Sequence, residues 1–129
     1  MNDRNYTASQ MLDMEPEKLL EYLTNNYIVK IPLAIENFEQ AKKASEEMAK
    51  ASAYYVFFSP LKLQANMMKR ILKKQKADKD LIDDMLVRET IFESQMAVMK
   101  QSYDTISRLF TIRHREQDEL KMMGGTPWW

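Results

Sequence analysis

Residues 77–123 read ADKDLIDDMLVRETIFESQMAVMKQSYDTISRLFTIRHREQDELKMM, and the stretch contains neither Gly nor Pro. Apolar residues recur in it at alternating steps of three and four: Ile82, Met85, Phe92, Met96, Met99, Tyr103, Ile106 and Phe110. Glu89 interrupts the row, which fades at Arg113 and Gln117 and ends at Leu120. Such a heptad seam predicts one long helix over 78–123, about 68 Å at 1.5 Å per residue. Ile91, Val98 and Ile112 widen the apolar face beyond two positions per heptad, which suits a bundle better than a two-stranded coil.

The rest of the composition agrees. Two Gly and four Pro in 129 residues cannot supply the turns of an all-β fold, so the expected class is all-α. Apolar residues at 45% and charged residues at 29% mark a chain that folds rather than one that stays disordered. The length suits a single helical domain over 1–129, with two or three shorter helices along the long one. Residues 1–12 lack a sustained period and are expected to be loosely held, and 124–129 to form a C-terminal peptide tail.

Upstream, Asp13 is expected to cap a short helix whose first turn holds Glu15, Pro16 and Glu17. Its stripe is Leu19, Leu20, Leu23 and Tyr27, too short to stand alone. Docking on the chain's own bundle is the commoner fate of such a segment, and binding a partner is the alternative. Pro32 suits the start of a helix over 32–58, with Ile35, Phe38, Ala41, Ala44, Met48, Ala51, Tyr55 and Phe58 on one face. The alanines in that face predict close approach to the long helix. Tyr54, Tyr55, Phe57 and Phe58 cannot all face one core. Ser59-Pro60 reads as a boundary, and a further helix is expected from Pro60 to about Gln75. Gly124-Gly125 supply a left-handed stop to the long helix.

Of the eleven methionines, Met48, Met85, Met96 and Met99 lie on seams and are expected in the core, whereas Met67, Met122 and Met123 have no assigned place.

The balance of 19 cations and 19 anions hides an asymmetry. Residues 61–79 hold seven cations and the single acid Asp78, a net +6. Lys62, Lys69, Arg70, Lys73, Lys74, Lys76 and Lys79 form a basic amphipathic segment, opposite an apolar side of Leu61, Ala65, Met68, Ile71 and Leu72. Phosphate backbones, anionic membranes and acidic proteins all attract that pattern, and so does plain water.

Little in the sequence supports catalysis. There is no Cys, and the one histidine, His114, sits between Arg113 and Arg115, which discourages metal binding. Thr111 stands where a Glu-x-x-His di-iron motif would need its acid. The only glycines are the terminal pair, so no phosphate loop exists. The expectation is a non-enzymatic assembly or adaptor protein without cofactor. It would self-associate through Phe92, Met96, Met99, Tyr103, Ile106 and Phe110, and meet protein partners through Leu19, Leu20, Leu23, Tyr27, Trp128 and Trp129; for the two tryptophans, folding back onto the bundle is the alternative. Glu89, a polar residue in the seam, is expected to pair with a cation of another helix and fix register. The alternative is an oligomeric nucleic-acid-binding protein using the basic segment on phosphates. A membrane partner is not expected, because the apolar side of that segment is assigned to the core. Without Cys or an N-terminal apolar run, the expected location is cytoplasmic.

Overall fold

A computed structural model of the chain describes residues 5–124. Within these residues there are four helices and no strand: α1 (Ala8–Asp13), α2 (Pro16–Asn26), α3 (Phe38–Lys74) and α4 (Lys79–Met122). The fold is all-α, and the long helix expected over 78–123 is α4. Its stop is as expected too. Gly124 has φ 81° and its N–H returns to the Lys121 carbonyl at 3.1 Å, the left-handed cap that glycine adopts without strain. No helix of the described residues is long and apolar enough to cross a membrane.

The N-terminal expectation needs correction. Residues 8–13 are not loose, because Thr7 and Gln10 form a capping box. The Thr7 hydroxyl accepts from the Gln10 N–H at 3.2 Å, and the Gln10 amide oxygen accepts from the Thr7 N–H at 2.8 Å. Met11 and Leu12 are buried and hold the short helix in place. Asp13 closes α1 instead of capping α2. Glu15 stands at the cap of α2 without a side-chain bond, and Pro16 fills the first helical position.

The second correction concerns Ser59-Pro60. No break occurs there, and α3 runs through Pro60. A proline inside a helix costs about 3 kcal/mol. Phe58 and Leu61, which flank it, are both buried, and each such burial returns about 1.5–3 kcal/mol. The proline ring itself faces water. The helix also starts later than Pro32. The Asn37 side chain caps it by accepting from the Gln40 N–H at 2.8 Å, and residues 28–37 are non-helical.

α3 ends in a Schellman motif built on lysine. Lys76 has φ 53°, the Ala77 N–H reaches the Leu72 carbonyl at 3.0 Å, and the Lys76 N–H reaches Lys73 at 3.2 Å.

The chain divides into two compact units, where one domain is expected, and α3 and α4 contribute to both. Of the described residues, the first unit holds those up to Ile28 together with Tyr55–Ala97. Its core is Met11, Leu19, Leu23, Phe58, Leu61, Ala65, Met85 and Phe92. A run of ring contacts crosses it: Tyr6 meets Tyr22 edge-on at 4.8 Å, Tyr22 meets Tyr27, and Tyr27 stacks on Phe57 at 5.5 Å and touches Phe58. Phe58 in turn lies 6.5 Å from Phe92. Arg88 of α4 donates to the Met14 carbonyl at 2.8 Å and so ties down the joint between α1 and α2.

The second unit holds Val29–Tyr54 and the described residues from Val98 onward. Ile35 from the non-helical segment, Ala41 and Ala44 from α3, and Ile106 from α4 form its core cluster, with Met48, Leu109 and Phe110 packed against it. The small residues Ala41 and Ala44 are buried, as their place on the expected face of this helix implies. The buried row of α4 here runs Met99, Ser102, Ile106. Tyr103 falls outside it, and the Ser102 hydroxyl satisfies itself on the Val98 carbonyl at 2.8 Å.

Candidate interaction surface

In the first unit α3 is apolar on two opposite sides. Phe58, Leu61 and Ala65 are buried. At 100° per residue, Val56, Leu63, Met67 and Ile71 fall within about 80° of one another and about 160° from that buried side. They are 65%, 60%, 53% and 51% exposed. Scattered apolar residues on a surface need no explanation, but a row at helical spacing is a shape that another helix fits. Pro60 lies in the same row and is exposed.

The basic segment is split by the same geometry. Lys69 points inward, its ammonium 2.7 Å from the Glu89 carboxylate, and the two side chains are 14% and 12% exposed. Asn66 donates to the other Glu89 oxygen. The hydrogen bond from Lys69 is the main reason that the Glu89 carboxyl lies below the ordinary glutamate range; burial opposes it and Asn66 assists. The seam acid therefore pairs with a cation of another helix of the same chain, in the way its position predicts. Lys62 faces Glu93 at 3.7 Å, a looser and more exposed pair. Arg70, Lys73, Lys74, Lys76 and Lys79 remain exposed. Ile71, assigned from the sequence to the core side, lies instead with Met67 on the outside.

The other residues singled out from the sequence divide in the same way. Leu19 and Leu23 are fully buried in the first unit, Leu20 is exposed, and Tyr27 is half-buried among aromatic rings. Of the seam, Phe92, Met99 and Ile106 are buried within the chain, Met96 and Phe110 are half-buried, and Tyr103 is exposed. Trp128 and Trp129 lie outside the described residues. Among the described residues, no group of three His, Asp or Glu side chains is placed to hold a metal ion.

Val56, Leu63 and Met67 were present in the sequence at steps of seven and four, but a helix boundary at Pro60 separates Val56 from the other two. Only a continuous helix puts them on one face. No family model, curated protein or solved structure matches this chain.

Proposed function

We propose that the chain is a non-enzymatic adaptor that binds another protein through the outer face of α3. One observation carries this reading: a helix already packed on one side keeps a second apolar row, Val56, Leu63, Met67 and Ile71, in water. Exposing that row is unfavourable, and covering it on binding is the ordinary source of association energy. The seam residues expected to meet a second copy, Phe92, Met99 and Ile106, are occupied inside the chain, so we assign the contact to α3 instead.

The test is site-specific cross-linking in the cell of origin. A benzophenone side chain at position 63 should form adducts with protein, and one at exposed Lys100 should not. Absence of adducts at 63, or equal adducts at both positions, would refute the surface.

The second reading, phosphate-backbone binding, keeps support from Arg70, Lys73, Lys74, Lys76 and Lys79, which stay exposed. Lys62 and Lys69 are drawn toward acids of α4, which weakens the patch. Anisotropy of a labelled DNA at two salt concentrations tests it: phosphate binding must weaken steeply with salt.

A further inference from the structure

The outer row of α3 does not end in neutral surroundings. Past Met67, the exposed residues Arg70 and Lys74 continue the same side of the helix, and exposed Lys73 lies on its flank. Between Glu47 and Asp78 the sequence holds no carboxylate side chain at all. Every formal charge that α3 carries from Tyr55 to its end is therefore positive. Whatever covers this face must bring apolar groups for one part of the row and anionic groups for the other.

Four occupants can be compared on that requirement. A second copy of α3 brings the same cations. Laid parallel it sets like charges together, and laid antiparallel it leaves both clusters without counter-charges. Duplex nucleic acid brings phosphates on its outside but keeps its base faces stacked away from Val56, Leu63 and Met67. An anionic membrane brings both, yet a helix that lies on it carries Lys and Arg on the polar face beside its apolar residues. Here the positions beside the row are Ser59, Gln64 and Asn66, and the exposed cations gather at one end. An acidic amphipathic helix brings both, and can carry its acids at one end.

The direction of such a helix follows from its own dipole, which favours acids in the first turns. Those turns meet Arg70 and Lys74, at the C-terminal end of α3, only when the two helices run antiparallel.

We propose that the outer face of α3 is the docking site of an acidic amphipathic helix of another protein, bound antiparallel to α3. Its apolar residues, at steps of three and four, cover Val56, Leu63 and Met67. Its acidic first turns face Arg70 and Lys74. This proposal rests on the reading that the outer face of α3 is the contact surface.

Two labelled synthetic peptides of about three heptads test it. Both have Leu at the seam positions and equal numbers of Glu; one carries the Glu in its first two turns, the other in its last two. Titrated with the full chain, the first should bind and weaken with salt, and the second should bind about tenfold more weakly, a 1.4 kcal/mol difference. The double variant Leu63→Glu, Met67→Glu should abolish binding of both while circular dichroism stays unchanged, since both residues are exposed. Arg70→Gln with Lys74→Gln should weaken only the first peptide's advantage. Equal binding of the two peptides would overturn the antiparallel arrangement. Binding of phosphatidylglycerol-containing vesicles, or of a DNA oligonucleotide, that depends on Leu63 and Met67 while neither peptide binds would overturn the helical partner. If neither peptide binds but position 63 still cross-links to protein, the partner chemistry is refuted and the surface stands. If both fail, both readings fall.

Discussion

Lys69 on α3 and Glu89 on α4 meet at 2.7 Å with little exposure to water, and Asn66 completes the carboxylate's hydrogen bonding. Such a pair contributes less to net stability than its Coulomb energy suggests, because both ions lose water. Removing one partner is a different matter, since it strands the other charge. Glu89→Ala should cost about 2–4 kcal/mol. Lys69→Met combined with Glu89→Leu should recover most of that loss, because it leaves no ion behind. Urea unfolding of the single and double variants measures both. A loss for Glu89→Ala of less than about 0.5 kcal/mol would class the pair with ordinary surface contacts.

The same pair sets a pH dependence. Glu89 is held below its ordinary value of 4.5 chiefly by the Lys69 hydrogen bond. For Glu47, burial pushes the carboxyl up, but hydrogen bonds from Lys50 and from the Lys30 backbone outweigh it, and the net shift is again downward. A lowered carboxyl binds fewer protons folded than unfolded, so stability rises with pH across that window. The contribution is complete above the ordinary glutamate value and is lost as pH falls through the lowered folded values. Urea midpoints followed from about pH 7 to about pH 3 should stay level at first and then fall. In Glu89→Gln the acid-side fall should be shallower, and an unchanged slope would show that the pair does not titrate in this way.

Pro60 sits in the interior of α3 with its ring in water. It has no N–H to give to the carbonyl of Val56, four residues earlier. Pro60→Ala supplies that bond and should raise stability by about 1–3 kcal/mol, somewhat less than the full proline penalty because alanine leaves the unfolded chain freer. A rise in the thermal midpoint with unchanged helix content would show that α3 is continuous in solution. A loss of stability would mean that the proline marks a real break.

Most of the helical architecture was legible because its signals are periodic. α4 declares itself by its seam, its acidic start and its glycine stop, and Glu89 stands out because it is charged where the row is apolar. Ala41 and Ala44 lie on the face of α3 that their period assigned to the interior. The misreadings have local causes. The boundary placed at Pro60 follows from proline's intrinsic preference, which the burial of Phe58 and Leu61 overrides. That one choice also hid the outer row, since Val56 belongs with Leu63 only when the helix runs on. α1 was missed because a six-residue helix has no period to detect; its single sign is the Thr7–Gln10 spacing of a capping box. The split of the basic segment was out of reach of composition, because Lys69 and Arg70 are neighbours in sequence and face different surroundings in the fold.

Lys76 occupies the left-handed position of the Schellman motif with φ 53°, where glycine is the usual residue. A side chain there carries a steric cost that glycine avoids. Lys76→Gly should therefore stabilise the chain by about 1 kcal/mol, partly offset by the greater freedom of glycine when unfolded. Lys76→Val should destabilise it, since a branched side chain tolerates this region poorly. Equal stability of the three residues, measured by urea unfolding, would argue that the turn after α3 is not fixed in this conformation.

Ala44 and Ile106 share the core cluster of the second unit, both essentially inaccessible to water. A small side chain such as that of Ala44 lets a neighbouring helix come close. Ala44→Leu inserts three carbons into that contact and should cost about 1–3 kcal/mol through displaced side chains. Ile106→Val removes only a methylene group and should cost about 0.5–1.5 kcal/mol. The combination is the sharper test. If Ala44 and Ile106 face each other, the smaller valine at position 106 relieves part of the crowding by the leucine at position 44, and the double variant loses less than the two single losses together. Additive losses would separate the two residues and place the close approach elsewhere along α3.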